Sequence, residues 1–476
     1  MAVSVYPTGT TIYDPKRCWN GFNILSTMGP DTHLIDMNGR VVNTWKGIGG
    51  FPNKFLPGGY LMGSTGMRNK KYGYQDQVDL VQVDWQGNIV WKFDHHELIS
   101  DPGDKPQWMA RQHHDYQREG NPVGYYVPGM EPLQTGGTTL MLCHKNVFNQ
   151  AISNKSLLDD AIIEVSWDGK IIWEWKCSEH FDEIGFSKSA KRSLARSPNM
   201  LKVGDGFGDW MHLNSVSRLG PNRWSDAGDD RFHPENLVWS SRQSNVLAII
   251  DKRTGKIVWK TGPDYGRTGA LRRLGNIIGP HHVHLVPKGL PGEGNVLVFD
   301  NGGWAGYGTP NPGSRTGVNY ANRASSRVIE LDPTSLEIVW QYTAKEAGHV
   351  VPIFEHRFYS SLVSSAQRLP NANTLITEGV DGRVFEITRD HEIVWEYVNP
   401  NPGEHGSLVY RSYRVPYEWA PQAERRDERP IPRLDVTKLR VPESGTEAMK
   451  VAEGPAASTP GADAQFCVVP AEAGEN

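Results

Sequence analysis

The sequence predicts an all-β chain folded as a six-bladed β-propeller, with four strands per blade and long loops at the channel mouth. Three observations carry this expectation. A short phrase, a turn followed by a β-branched pair and then tryptophan, occurs six times, ending at Trp45, Trp91, Trp173, Trp259, Trp340 and Trp395. Each copy follows a β-rich run with alternating apolar residues: His33–Asp36, Val78–Val83, Ala161–Val165, Val246–Ile250, Arg327–Leu331 and Arg383–Ile387. Two strands joined by a tight Asp/Gly turn, repeated along a chain, mark a radial repeat. Between successive copies lies a second pair of runs, and four strands make one blade.

In chain order, the first blade is a strand short, because only Phe22–Leu25 precedes its His33 run; Tyr410–Val415 is the late strand expected to close the ring. The second blade begins with Asn53–Pro57 and Gly59–Met62, and the third with His114–Gln117 and Thr138–Leu142. The fourth has His212–Arg218 and Asn236–Trp239, separated by an insertion. The fifth has His281–Pro287 and Asn295–Phe299, and the sixth Ser361–Pro370 and Asn373–Ile376. The first strand of each blade is expected innermost and the tryptophan strand outermost, packing blade against blade. The 476 residues exceed the ~40–50 per blade of ordinary propeller repeats, and the surplus is expected in long loops, which often carry function. The propeller is placed at residues 1–421. Residues 422–476 turn rich in Glu, Arg, Pro, Ala and Gly with no periodicity, and are read as a mostly disordered C-terminal tail.

A net charge of −4 and a pI near 6.5 draw the surface to neither nucleic acid nor anionic membrane. No apolar run is long enough to cross a bilayer, and the N-terminus has neither the charged nor the apolar region of a signal peptide, so a cytoplasmic location is expected. The four cysteines, Cys18, Cys143, Cys177 and Cys467, are scattered and read as reduced structural thiols. Neither a G-x-G-x-x-G after a strand nor a Walker loop occurs.

Histidine carries the chemical signal. His113, His114, His212, His281, His282 and His284 stand at the starts of inner strands, which crowd one mouth of the channel. His356, in Glu355-His356-Arg357, precedes the last complete inner strand. Period-two alternation puts His212 and Asn214 on one side of a strand, an imidazole and an amide able to grip one anionic group. Arg242 follows on the neighbouring strand. Asp300-Asn301-Gly302 opens a Gly-rich loop carrying Arg315 and Arg323, whose guanidinium groups suit bidentate anion binding. His144 is a weaker candidate.

These segments resemble the bacterial arylsulfate sulfotransferase family. The resemblance rests on Thr32–Trp45, Asp209-Trp-Met-His212-Leu-Asn214-Ser215, Ser240–Gln243, Thr254–Trp259, Pro280–Val283 and Asp300–Gly302, and spans roughly residues 18–415. It implies a six-bladed propeller that moves a sulfuryl group from a phenolic sulfate ester to another phenol, without a nucleotide donor (hence PAPS-independent) and without a cofactor, through a sulfated histidine at the channel mouth. By matching motif, His212 is an oxyanion or acid/base histidine with Asn214 beside it, and His281 or His282 is the second. Arg323 binds sulfate. The nucleophile comes from a later blade, where His356 is the best-placed histidine. His113, His114, His281, Arg242, Arg323 and Asn301 are assigned to substrate binding, and His212, His282, His356 and Asn214 to catalysis. The partners implied are a small-molecule aromatic donor and acceptor, with no nucleic acid and no membrane; oligomeric state is left open. The alternative is a metal-dependent hydrolase or lyase, with a divalent transition metal on His114, His212, His282 and His284, since imidazole suits such ions. A quinone dehydrogenase would call for eight blades, and a bare scaffold would not gather His and Arg on one axis.

Overall fold

The computed structural model describes residues 7–27, 29–68, 75–101, 103–199, 207–401 and 406–433. Six sheets of at least four strands form the blades. Their inner strands are Arg411–Val415, Gly49–Leu56, Gln112–Arg118, Leu213–Arg218, His281–Leu285 and Ser365–Arg368, for blades 1 to 6. Blade 1 is completed from the far end of the chain: Arg411–Val415 pairs antiparallel with Phe22–Ser26, Phe22 facing Val415 and Ser26 facing Arg411. Blade 6 gains a fifth, outer strand from the N-terminus, Gly9–Tyr13 against Ile393–Val398. Each end of the chain therefore latches a blade built from the other end.

The tryptophans do more than fill space. Each outer-strand indole N–H donates to a turn carbonyl of the next blade. The pairs are Trp45 to Asp84 (2.8 Å), Trp91 to Trp167 (2.8 Å), Trp259 to Pro333 (2.7 Å), Trp340 to Arg389 (3.1 Å) and Trp395 to Met37 (2.8 Å). In blade 3 two residues share the task, Trp173 to Lys252 (3.1 Å) and Trp175 to Gly255 (2.8 Å), and it is Trp175 that is buried. This closed circuit combines a large buried apolar surface with a satisfied polar atom, the arrangement in which buried indole is most stabilising. Trp259→Ala should cost about 3–5 kcal/mol, the usual toll for truncating a buried aromatic. A thermal melt checks this, and an unchanged midpoint would remove the indole from blade-to-blade packing.

The chain stays ordered past the expected boundary at 421. The Glu428 carboxylate accepts from the Tyr13 hydroxyl (3.1 Å) and the Tyr417 hydroxyl (2.5 Å), and Ile431 exchanges backbone hydrogen bonds with Tyr13. Residues 434–476, with Cys467, lie outside the described residues. Cys18, Cys143 and Cys177 are buried free thiols. No described helix is long and apolar enough to cross a membrane.

Two departures from a plain ring shape the mouth. In blade 3 the second and third strands, Thr138–Val147 and Leu157–Ser166, run ten residues each, and the short strand Gly208–Asp209 adds in parallel to their extension. In blade 5 a hairpin, Gly303–Tyr307 with Val318–Arg323, is inserted between the second and third strands.

Candidate active site at the channel mouth

Three inner strands begin with the same device. His114, His212 and His282 open successive blades in the left-handed backbone region, at φ of 57°, 54° and 53°. The ladder register slips at each, between Gln112 and Tyr116, Leu213 and Ser215, and His281 and His284. A non-glycine residue held there costs of order 1–3 kcal/mol, and such strain collects at functional sites. These bulges re-aim the side chains next to them, so simple alternation fails there.

His212 is the best-equipped of the three. Its Nδ1 lies 2.5 Å from Asp209 Oδ2, and Asp209 is fully buried. Burial pushes the Asp209 carboxyl up, but the His212 charge and hydrogen bond outweigh it and hold the group below its usual value. With the Nδ1 proton committed to Asp209, the lone pair sits on Nε2, which takes no hydrogen bond among the described residues; the side chain keeps 8% exposure. The Arg242 backbone N–H donates to the His212 carbonyl (3.1 Å). The Arg242 guanidinium makes only long bonds to neutral acceptors, Gln243 Oε1 (3.5 Å) and Trp304 O (3.3 Å). Among the described residues no carboxylate pairs with it, so its donors remain available to an anion.

His114 stands edge-on to His212 with ring centroids 4.6 Å apart, and its Nδ1 is 2.9 Å from His113 Nδ1. His281 holds its Nδ1 proton toward Asn301 Oδ1 (2.7 Å) and the Gly279 carbonyl (3.0 Å), which leaves the lone pair on Nε2. Asn301 is itself pinned, donating to the Ser360 (2.7 Å) and Val363 (2.9 Å) carbonyls. Burial lowers both His114 and His281 well below the ordinary histidine range; the neighbouring His212 adds to it for His114, and Arg242 and His212 for His281. Both are neutral imidazoles at physiological pH. His114, His212, His281 and Arg242 are the group that the structure assembles.

Other candidates sit elsewhere. His282 and His284 lie deeper, His282 Nε2 3.4 Å from the Tyr413 hydroxyl and His284 Nε2 2.9 Å from the Tyr125 hydroxyl. The expected metal set of His114, His212, His282 and His284 is therefore split between two levels of the channel. Asn214 is consumed in joining blades: its amide donates to the Pro280 carbonyl (2.7 Å) and accepts from Ser240 (2.7 Å). The slip at Leu213 and Ser215 undoes the period-two argument that placed it beside His212. Arg323 is neutralised by Asp300 (2.6 Å) at the foot of the inserted hairpin. His356 is exposed in a single turn of 3₁₀ helix, edge-on to Phe354, and shares no hydrogen bond or ring contact with the axial histidines among the described residues. In blade 6 the residues just before the inner strand, Val363 and Ser364, take positive φ instead. Missed in the sequence were Asp209 and Asp160; the acid three residues before His212 was the available signal for the first.

Below the histidines the axis is plugged by charge. Asp115 accepts from Lys54 (2.7 Å) and Arg411 (3.0 Å), and Arg411 also donates to the Asn214 carbonyl (2.5 Å), all of them buried. Burial brings Lys54 down to about 8 despite Asp115. His281, His282 and His284 all have folded pKa values below the unfolded value of about 6.5, His284 reaching about 3. As pH falls below about 6.5 the unfolded chain takes up protons that the folded chain refuses, so each histidine removes up to about 1.4 kcal/mol per pH unit. Asp159, raised to about 6 by burial, works in the opposite sense and offsets one of them. The melting temperature should be flat between about pH 7 and 8 and fall steeply between about 6.5 and 4.5; a flat profile through that lower window would mean these imidazoles are not buried.

A propeller with neutral imidazoles, an Asp–His pair and a weakly bonded guanidinium at its mouth is equipped for nucleophilic or acid–base chemistry on an anionic group. The chain belongs to the arylsulfotransferase (ASST) family, whose model matches residues 134–400. No curated protein matches it in sequence. Among solved structures it is similar to a protein of unknown function from Bacteroides caccae (10% identity, TM-score 0.43, covering 83% of this chain and 99% of the other). It is also similar to Sqt1 of Saccharomyces cerevisiae (9%, 0.34, 87% and 98%) and virginiamycin B lyase from Staphylococcus aureus (12%, 0.31, 83% and 85%).

Proposed function

We propose that the chain is a sulfotransferase that moves a sulfuryl group from an aryl sulfate ester to a phenolic acceptor, with His212 as the nucleophile. The observation that carries this reading is the Asp209–His212 pair beside the weakly bonded guanidinium of Arg242. In the first half-reaction His212 Nε2 attacks sulfur, the N–S bond forms, and the S–O bond to the aryl group breaks. The phenolate leaves as the anion and takes its proton from water at the mouth. In the second, the His281 Nε2 lone pair takes the proton of the incoming phenol as its oxygen attacks sulfur and the N–S bond breaks. Asp209 steadies the imidazolium character of His212, and Arg242 holds the sulfuryl oxygens. One such donor to a developing oxyanion is worth about 10²–10³ in rate, and positioned acid–base groups about 10²–10⁴. Neutral His114 and His281 are ready for this at physiological pH.

The test is a chromogenic aryl sulfate with and without a phenol acceptor. Phenol release that saturates at one equivalent alone, turns over only with acceptor, and yields the acceptor's sulfate ester supports the reading. Absence of any release by folded protein across a panel of aryl sulfates would overturn it.

A further inference from the structure

We propose that His113, His144 and Asp160 hold one divalent transition-metal ion of the zinc type. These residues come from three strands of blade 3, and all are buried. Their donor atoms lie within 4.8 Å of one another: His113 Nε2 is 3.3 Å and His144 Nε2 3.7 Å from Asp160 Oδ1. Zinc–nitrogen bonds of about 2.0–2.1 Å set tetrahedral donors about 3.3 Å apart; the His113 and His144 rings stack with centroids 3.7 Å apart and 16° between their planes, so one ring turns out of the stack when both lone pairs meet a single ion.

A second observation points the same way. His113 Nε2, His144 Nε2 and both Asp160 oxygens form no hydrogen bond of acceptable geometry, although all are enclosed. Polar atoms enclosed together without a well-formed bond call for a ligand, even with the backbone N–H groups of His212 and Leu213 near the Asp160 carboxylate. The far nitrogen of His144, by contrast, is already held by a carboxylate, in the manner typical of metal-bound histidine. His144 Nδ1 is 2.5 Å from Asp76 Oδ1, and Asp76 is fixed by Arg111 (2.8 Å) and Arg68 (3.0 Å). His113 Nδ1 faces His114 Nδ1. Charge agrees: Asp76 is offset by its two arginines, whereas Asp160 lies close to Asp209 with no cation of its own among the described residues. Two imidazoles and a carboxylate suit zinc, cobalt(II) or iron(II), and three protein donors leave a further position open. With the ion on Nε2, His113 must carry its proton on Nδ1 and donate to His114, which fixes His114 with its proton on Nε2. The ligand set does not depend on the sulfuryl-transfer reading.

The experiment uses the untagged full-length chain, stripped with a chelator and reloaded with zinc(II) or cobalt(II), with folding followed by circular dichroism. One equivalent of metal per chain is expected, and cobalt should give visible d–d absorption with nitrogen and oxygen ligation. Asp160→Asn and His144→Gln should each weaken binding by about 100-fold or more. Folded wild-type protein that retains less than about a tenth of an equivalent overturns the proposal, and so does metal held equally well by either folded variant; the cluster is then a proton-sharing His–Asp group. Should a variant misfold, the wild-type stoichiometry and cobalt spectrum decide alone.

Discussion

Replacing His212 with asparagine should lower sulfuryl transfer by about 10³-fold or more with the propeller intact. The choice of residue separates chemistry from folding. His212 sits at φ 54°, where alanine would be strained and would leave the buried Asp209 without its partner. Asparagine tolerates the left-handed region and offers an amide N–H toward Asp209, but has no nitrogen lone pair with which to attack sulfur. Asp209→Asn should act through the same ring, by releasing the Nδ1 proton and the tautomer it fixes, and should lower kcat more than it raises KM. Initial rates with donor and acceptor, with melting temperatures alongside, check both variants. Near-normal turnover in His212→Asn would remove His212 from the site.

The second large effect concerns closure. A chain ending at Val409 should fail to reach the folded state, because it lacks the innermost strand of blade 1. That strand brings Tyr410, Arg411, Ser412, Tyr413, Arg414 and Val415, each no more than 1% exposed. Within it Arg411 is the critical side chain. It bonds Asp115, the Asn214 carbonyl and the Tyr413 hydroxyl, and so ties three blades at the axis. Arg411→Met breaks a buried pair and leaves Asp115 to Lys54 alone, a change that typically costs about 3–5 kcal/mol. Adding Asp115→Leu should return part of that loss, since removing both charges is cheaper than stranding one. Urea unfolding of the set measures this. A truncated chain that melts with the full-length protein would mean that the ring does not close through this strand.

The fold was legible because its main signal is periodic and local. A turn, two β-branched residues and a tryptophan recur in every blade, and each indole does the same job of reaching the next blade's turn. The closing strand could be inferred from what the first blade lacked. The site was legible only in outline. Histidines at inner-strand starts marked the mouth, but left-handed bulges at His114, His212 and His282 decide which rings reach it, and no residue pattern announces a bulge at a histidine. Asn214 and Arg323 looked available because their partners, the Pro280 carbonyl and Asp300, are supplied by another blade or by a distant part of the same blade. Asp160 was overlooked, and His144 ranked as the weaker candidate, because two ten-residue strands carry them to His113, an extension that sequence alternation alone does not measure. His356 was favoured by its place before the sixth blade, yet a helical turn holds it at the surface.

The central claim is covalent transfer through His212, and the most direct measurement is mass spectrometry of the peptide containing His212. The protein is incubated with an aryl sulfate in the absence of acceptor, then quenched and digested at alkaline pH. One added sulfuryl group on His212, lost when phenol is supplied, is the predicted result. An unmodified His212 peptide from an enzyme that still transfers sulfate, or modification at another residue, would contradict the account.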